Sequence, residues 1–192
     1  MDHNEFVVNA IRTESVVEKL GVDHALLLSA LALYIETTEI LDVIKKTAFY
    51  GNTTKMDTLP ELLNRVRNNL DDMNYLVTNL QSQNFMPEYP EAVNTRIAHG
   101  IIGICTEGGE LAQCLVEALR GGEMDVINVI EELFDGDWYK AIITDELDVD
   151  WSKGWEVIIN KLRSRYGEKF SNERATVRDL KAEREILESG NT

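Results

Sequence analysis

Only three prolines, Pro60, Pro87 and Pro90, interrupt a chain of 192 residues. Proline removes a backbone donor and breaks a helix interior, so its scarcity leaves long stretches free to coil. Within those stretches the apolar residues, 44% of the chain, recur with helical rather than strand periodicity, and the expected fold class is all-α. A chain of this size has enough apolar residues to bury a sizeable core.

The punctuation predicts individual elements. A first amphipathic helix is expected over about Asn4–Lys19, ended by Gly21, with Asp23 as the next N-cap. The second helix, from Asp23 to about Ala48, is apolar on nearly every side up to Ile35 and is expected in the middle of a bundle. Thr58-Leu-Pro-Glu61 has the form of a capping box and launches a helix to about Leu80. Gln81–Glu91, with two prolines, is the linker candidate. Further helices are expected over about Pro90–Arg120, Asp125–Glu146, Trp151–Tyr166 and Asn172–Leu187, the last read as exposed or oligomer-facing. The chain is read as a single all-α domain with C-terminal helices over 151–192.

Two acidic pairs stand inside apolar runs instead of along a polar stripe. Glu107 and Glu110 are three apart in one predicted helix, and Glu132 and Asp135 are three apart in the next. Residues i and i+3 share a helix face, so two facing helices would gather four carboxylates around a small volume. At an effective dielectric near 20, two like charges about 4 Å apart repel by roughly 4 kcal/mol, so such a cluster takes up protons or a cation. All-oxygen ligands suit Mg²⁺, with Mn²⁺ as a substitute. A di-iron carboxylate bundle wants Glu-x-x-His, and none of His3, His24 and His99 has Glu three positions before it. Gly108 and Gly109, adjacent inside the same helix, cost about 1 kcal/mol each relative to alanine, which suggests close approach by a helix or ligand.

The two halves of the chain can be aligned as a degenerate repeat, 23–82 against 90–147. Tyr34-Ile-Glu-Thr-Thr-Glu-Ile-Leu41 lies on Cys105-Thr-Glu-Gly-Gly-Glu-Leu-Ala112, and Asn68-Asn-Leu-Asp-Asp72 lies on Glu131-Glu-Leu-Phe-Asp135. Glu36, Glu39 and Asp72 then correspond to Glu107, Glu110 and Asp135, while Asn69 stands where Glu132 does. Each half reads as a helical hairpin, the first with an eroded acidic set.

Charge narrows the partners. The formal net charge is −15, which argues against nucleic acid or an anionic membrane. Residues 151–192 hold nine of the nineteen Lys and Arg against seven acids, so a polyanionic ligand would find its cations there. Cys105 and Cys114 lie nine apart in one predicted helix, about 13.5 Å of rise, too far for a disulfide. No leader pattern opens the chain and its most apolar stretch, Ala25–Ile35, is too short to span a bilayer, so a cytoplasmic protein is expected.

Thr106-Glu-Gly-Gly-Glu-Leu111 followed by Glu131-Glu-Leu-Phe-Asp-Gly-Asp-Trp-Tyr139 resembles the ExxE…ExxD signature of the MazG-like, all-α nucleoside triphosphate pyrophosphohydrolases. His99 and Gly103 fall where such proteins often carry the same types. Lys45–Gly51 is similar to the turn between the two metal helices of that family, and Asn160–Phe170 to the basic segment that follows them. Lys140 and Asp137 depart from the pattern, where relatives more often have apolar residues. The resemblance covers most of residues 24–170 and implies a MazG-like helical bundle of two pseudo-repeated hairpins. It also implies Mg²⁺-dependent hydrolysis of a nucleoside triphosphate to monophosphate and pyrophosphate. Glu107, Glu110, Glu132 and Asp135 would be the metal and catalytic set. Lys161 and Arg165, on one helical face, would bind the phosphates, with Asn160 toward the sugar or base. Family habit and exposed apolar faces favour a homo-oligomer. The competing expectation, raised by the eroded first repeat, is a catalytically inactive helical module that binds nucleotide or protein.

Overall fold

A computed structural model describes residues 1–80, 89–90, 93–167, 169–176 and 178–190. Among these residues there are eight α-helices and no strand, as the periodicity predicts: α1 (His3–Ala10), α2 (His24–Tyr50), α3 (Leu59–Leu80), α4 (Thr95–Leu119), α5 (Val126–Glu146), α6 (Trp151–Tyr166), α7 (Asn172–Thr176) and α8 (Leu180–Ser189). No helix among them is long and apolar enough to cross a membrane. The chain divides into two compact units, one of residues Leu20–Pro90 and one of Met1–Lys19 with Glu91–Thr192. Apart from Tyr89 and Pro90, the expected linker 81–91 lies outside the described residues.

The Leu20–Pro90 unit is the hairpin of α2 and α3. Asp23 caps α2 by accepting from the Leu26 amide at 2.7 Å, and Gly51 ends it in the left-handed region at φ 63°, a conformation that glycine adopts without a Cβ clash. The expected capping box at Thr58 does not form: a 3-10 turn over Met56–Thr58 precedes α3, and the Thr58 hydroxyl donates back to the Lys55 carbonyl. Nor is α2 enclosed on all sides. Val43 is its one buried residue, whereas Leu28 and Ile35 are 59% and 55% exposed. A pair of helices has a single seam, and only one stripe of each can lie in it.

In the other unit α4 packs along α5, and α1 packs on α5. Ala141 and Ile142 of α5 are fully enclosed. Asn94, not Pro90, sets the start of α4, accepting from the Arg96 and Ile97 amides. Asp125 does the same for α5 through Ile127 and Asn128. The turn between them contains Gly121 at φ 94°, so each hairpin has a positive-φ glycine where its first long helix stops.

The first helix is shorter than the predicted Asn4–Lys19 because its carbonyls and side chains are used elsewhere. Trp138 Nε1 donates to Ala10 O and Thr13 Oγ1, both at 3.1 Å, and Thr95 Oγ1 donates to Val17 O. Arg96 then ties Glu14 to Asp145 and Glu146. These bonds fix the segment after α1 across α4 and α5.

The predicted Asn172–Leu187 helix is divided, with Asp179 capping a fresh start at α8 by accepting from the Ala182 amide. α8 is docked on α6, not a free surface helix. Its Glu183 is 5% exposed and is paired with Arg165 and Arg178. These guanidinium groups, Arg165 first, pull the Glu183 carboxyl down to about 2. A carboxyl more acidic when folded stabilises the fold fully above its unfolded value of about 4.5, and the contribution disappears as pH falls toward 2. Glu183→Gln is therefore expected to be less stable than the parent by about 2 kcal/mol at pH 6, with the difference closing between pH 4.5 and 2. Urea unfolding across that range measures it, and a difference that stays constant with pH would refute the assignment.

Candidate metal centre

α4 and α5 meet along a seam of small residues. A Cβ on Gly100 would lie 2.8 Å from the Tyr139 carbonyl oxygen and 2.5 Å from the Ile143 side chain, and one on Gly103 would lie 2.0 Å from Tyr139 Cδ1. A Cβ added to Gly136 would lie 4.0 Å from Glu107 Cβ. These contacts place Gly100, Gly103 and Glu107 of α4 opposite Ile143, Tyr139 and Gly136 of α5. Of the Gly108-Gly109 pair, Gly109 makes no such close approach to a helix: an added Cβ there meets nothing within 4 Å.

Because the helices come this close, acids on the seam cannot avoid one another. One carboxylate oxygen from each of Glu107, Glu132 and Asp135 falls within 4.8 Å of the other two. Glu107 is 9% and Glu132 5% exposed, while Asp135 stands at the exposed edge. Burial, foremost, and then a hydrogen bond and charge repulsion from Glu107 push the Glu132 carboxyl above its usual range, with Glu131 and Asp135 adding to the effect. Tyr139, two turns along the same face of α5 from Glu132, is also pushed up, by burial first and then by Glu107, Asp135 and Glu110. The Thr106 hydroxyl lies 3.4 Å from a Glu107 oxygen.

Three of the four predicted acids thus converge and Glu110 does not. It follows Glu107 by 300° of helical turn, off the seam line that Gly103, Glu107 and Cys114 define, and is exposed at the rim. Its charge still bears on Tyr139. Among the described residues no Lys, Arg or His forms an ion pair with Glu107, Glu132 or Asp135. Three clustered carboxylates, two of them buried and none neutralised by protein, are a donor set that fits a hard divalent cation.

The remaining candidates lie on α6, which packs on α1, α7 and α8. Arg165 is engaged by Glu183, so its guanidinium is tied into the α6–α8 contact. Lys161 is half-buried and Asn160 exposed on the same helix. Trp138 and His99 pack beside Tyr139, with ring centroids 4.9 and 5.6 Å from it. Lys140 and Asp137 pair with each other at 3.0 Å. Cys105 and Cys114 are free thiols, and Cys114 Sγ accepts from Asn128 at 3.1 Å. Tyr139 was missed from the acidic set on sequence, although its position four residues after Asp135 and seven after Glu132 puts it on their face.

The chain matches no known family model, no curated protein and no solved structure.

Proposed function

We propose that the chain is a Mg²⁺-dependent nucleoside triphosphate pyrophosphohydrolase that cleaves the α–β phosphoanhydride to yield a nucleoside monophosphate and pyrophosphate. The observation that carries this reading is the convergence of Glu107, Glu132 and Asp135 from two facing helices, with no cation of the described residues paired to them. The resemblance of the ExxE…ExxD segments supplies the substrate class.

Glu107, Glu132 and Asp135 would hold the metal, with Glu110 at the rim as the fourth acid of the set. Bound Mg²⁺ would neutralise phosphate oxygens and acidify a coordinated water. The chain's own part is to fix the carboxylates. The Gly100/Gly103 seam sets the helix separation, the packed Tyr139 ring closes one end, and burial of Glu132 disfavours its charge unless a cation is present. Lys161 is the candidate for phosphate oxygens on α6, with Asn160 toward sugar or base. Arg165 would contribute only by leaving Glu183. Exposed large side chains at the α4–α5 turn, Leu119 at 78% and Ile127 at 80%, support a homo-oligomer.

The test is a nucleotide panel, canonical and modified, incubated with purified protein and Mg²⁺, with products separated. The expected products are monophosphate and pyrophosphate in equal amounts, and EDTA abolishes both. Diphosphate plus orthophosphate would refute the bond assignment. No turnover of any nucleotide by folded, Mg²⁺-binding protein would leave the non-catalytic binding module.

A further inference from the structure

The two hairpins place acids at corresponding positions, yet they neutralise them differently. In the α4–α5 hairpin three carboxylates converge, with no guanidinium or ammonium of the described residues paired to them. In the α2–α3 hairpin the pair Glu36 and Glu39, which aligns with Glu107 and Glu110, meets Arg65 from the facing helix. Arg65 Nε lies 2.8 Å from Glu36 Oε2, and Arg65 Nη2 donates to Glu39. The Glu36 oxygen and Arg65 Nε that face each other are sealed from solvent and lack hydrogen-bond alignment, so their attraction is one of charge.

The register of the repeat sharpens the contrast. With Asn68 on Glu131 and Asn69 on Glu132, Arg65 falls on Asn128, a neutral residue whose amide donates to Cys114 Sγ. Where α3 has an arginine it lacks the buried third acid, having Asn69 there. Where α5 has that acid, Glu132, it lacks the arginine.

We propose that Arg65 is a built-in substitute for a divalent cation: its guanidinium neutralises Glu36 and Glu39, as a bound ion would neutralise the converging acids of the other hairpin, and makes the α2–α3 unit independent of metal. The planar guanidinium suits the task because it can reach two carboxylates with separate N–H groups. Its single charge matches two acids of which one, Glu39, is half-exposed, whereas three converging acids call for a doubly charged ion. The inference rests on the repeat, on these contacts and on reading the α4–α5 acids as a metal centre, but not on nucleotide hydrolysis.

A consequence is that removing the arginine should convert the site into a weak metal site. A cavity of about 370 Å³ opens beside Glu39 and Arg65, lined also by Asp42, Glu61, Lys55 and Thr58, so an ion carrying its water can reach the Glu39 carboxylate. The experiment uses the full chain with Glu132→Gln as parent, which silences the α4–α5 centre, and compares it with Glu132→Gln/Arg65→Ala. Mn²⁺ is the probe, its bound fraction counted by electron paramagnetic resonance and its effect read as a melting shift. The double variant should bind one Mn²⁺ more than the parent. It should also melt at least about 5 °C lower in EDTA and regain most of that in a few millimolar Mn²⁺. Arg65→Lys in the same parent should bind no additional ion, since the ammonium keeps the positive charge. A folded double variant that takes up no extra Mn²⁺ overturns the proposal. If the double variant unfolds in EDTA, refolding on Mn²⁺ addition supports it, and failure to refold with Mn²⁺ overturns it. Because the parent already lacks the α4–α5 ion, these readings are unaffected by whether the wild type hydrolyses nucleotides.

Discussion

Glu132→Gln is expected to reduce pyrophosphate release by about a hundredfold or more while leaving the protein folded. The side chain is 5% exposed and lies within reach of Glu107 and Asp135, so the amide fits the same space. What it removes is a negative charge at the one acid whose ionised form burial and its neighbours most disfavour. Two results should therefore separate. Without metal the variant should be at least as stable as the parent, because a neutral group replaces one that was repelled. With Mg²⁺ the parent should gain melting temperature by mass action on the folded state, and the variant should gain little. A variant that still releases pyrophosphate at the parental rate would remove Glu132 from the reaction. One stabilised by Mg²⁺ as strongly as the parent would move the ion elsewhere.

Gly103→Ala is the second large effect, and here two forces oppose each other. Alanine is the better helix former by about 1 kcal/mol, so propensity alone predicts a gain. Its Cβ, however, would sit 2.0 Å from Cδ1 and 2.3 Å from Cγ of Tyr139. These atoms are near the root of the ring, and Tyr139 itself is wedged beside Trp138 and His99. Overpacking of this kind costs about 1–3 kcal/mol and occasionally more, so a net loss of about 2 kcal/mol is expected in urea unfolding. Because separating α4 from α5 also separates Glu107 from Glu132, Mg²⁺ affinity should fall with stability. Gly109→Ala provides the contrast: with nothing within 4 Å of the added carbon, propensity acts alone and the protein should gain about 1 kcal/mol. Equal behaviour of the two variants would refute the close seam.

The sequence reveals helices more clearly than it reveals which side of each helix is used. Asp23 is an N-cap that the sequence marks openly, and the structure has it in that role; Asp125 and Asp150 cap α5 and α6 in the same way. The acidic pairs were legible because i,i+3 spacing fixes a face. That spacing still leaves 60° between its members, and the glycine seam decided that Glu107, not Glu110, would lie on the contact line. Arg65 gave no sequence signal of its own, since an arginine on an amphipathic helix is ordinarily solvated. Only the packing of α2 on α3 brings it to Glu36 and Glu39. The early end of α1 was hidden for a related reason: its last carbonyl, Ala10 O, and the Thr13 hydroxyl just beyond it accept from Trp138, more than a hundred residues away.

That distant bond also orders events as the chain is made. Residues 1–19 belong to the same compact unit as residues 91–192, with the α2–α3 unit interposed. The helices that the amino-terminal segment packs on, α4 and α5, therefore emerge from the ribosome late, whereas α2 and α3, close in sequence, can pair much sooner. Trp138 donates to that segment at Ala10 and Thr13, so its emission would time the docking.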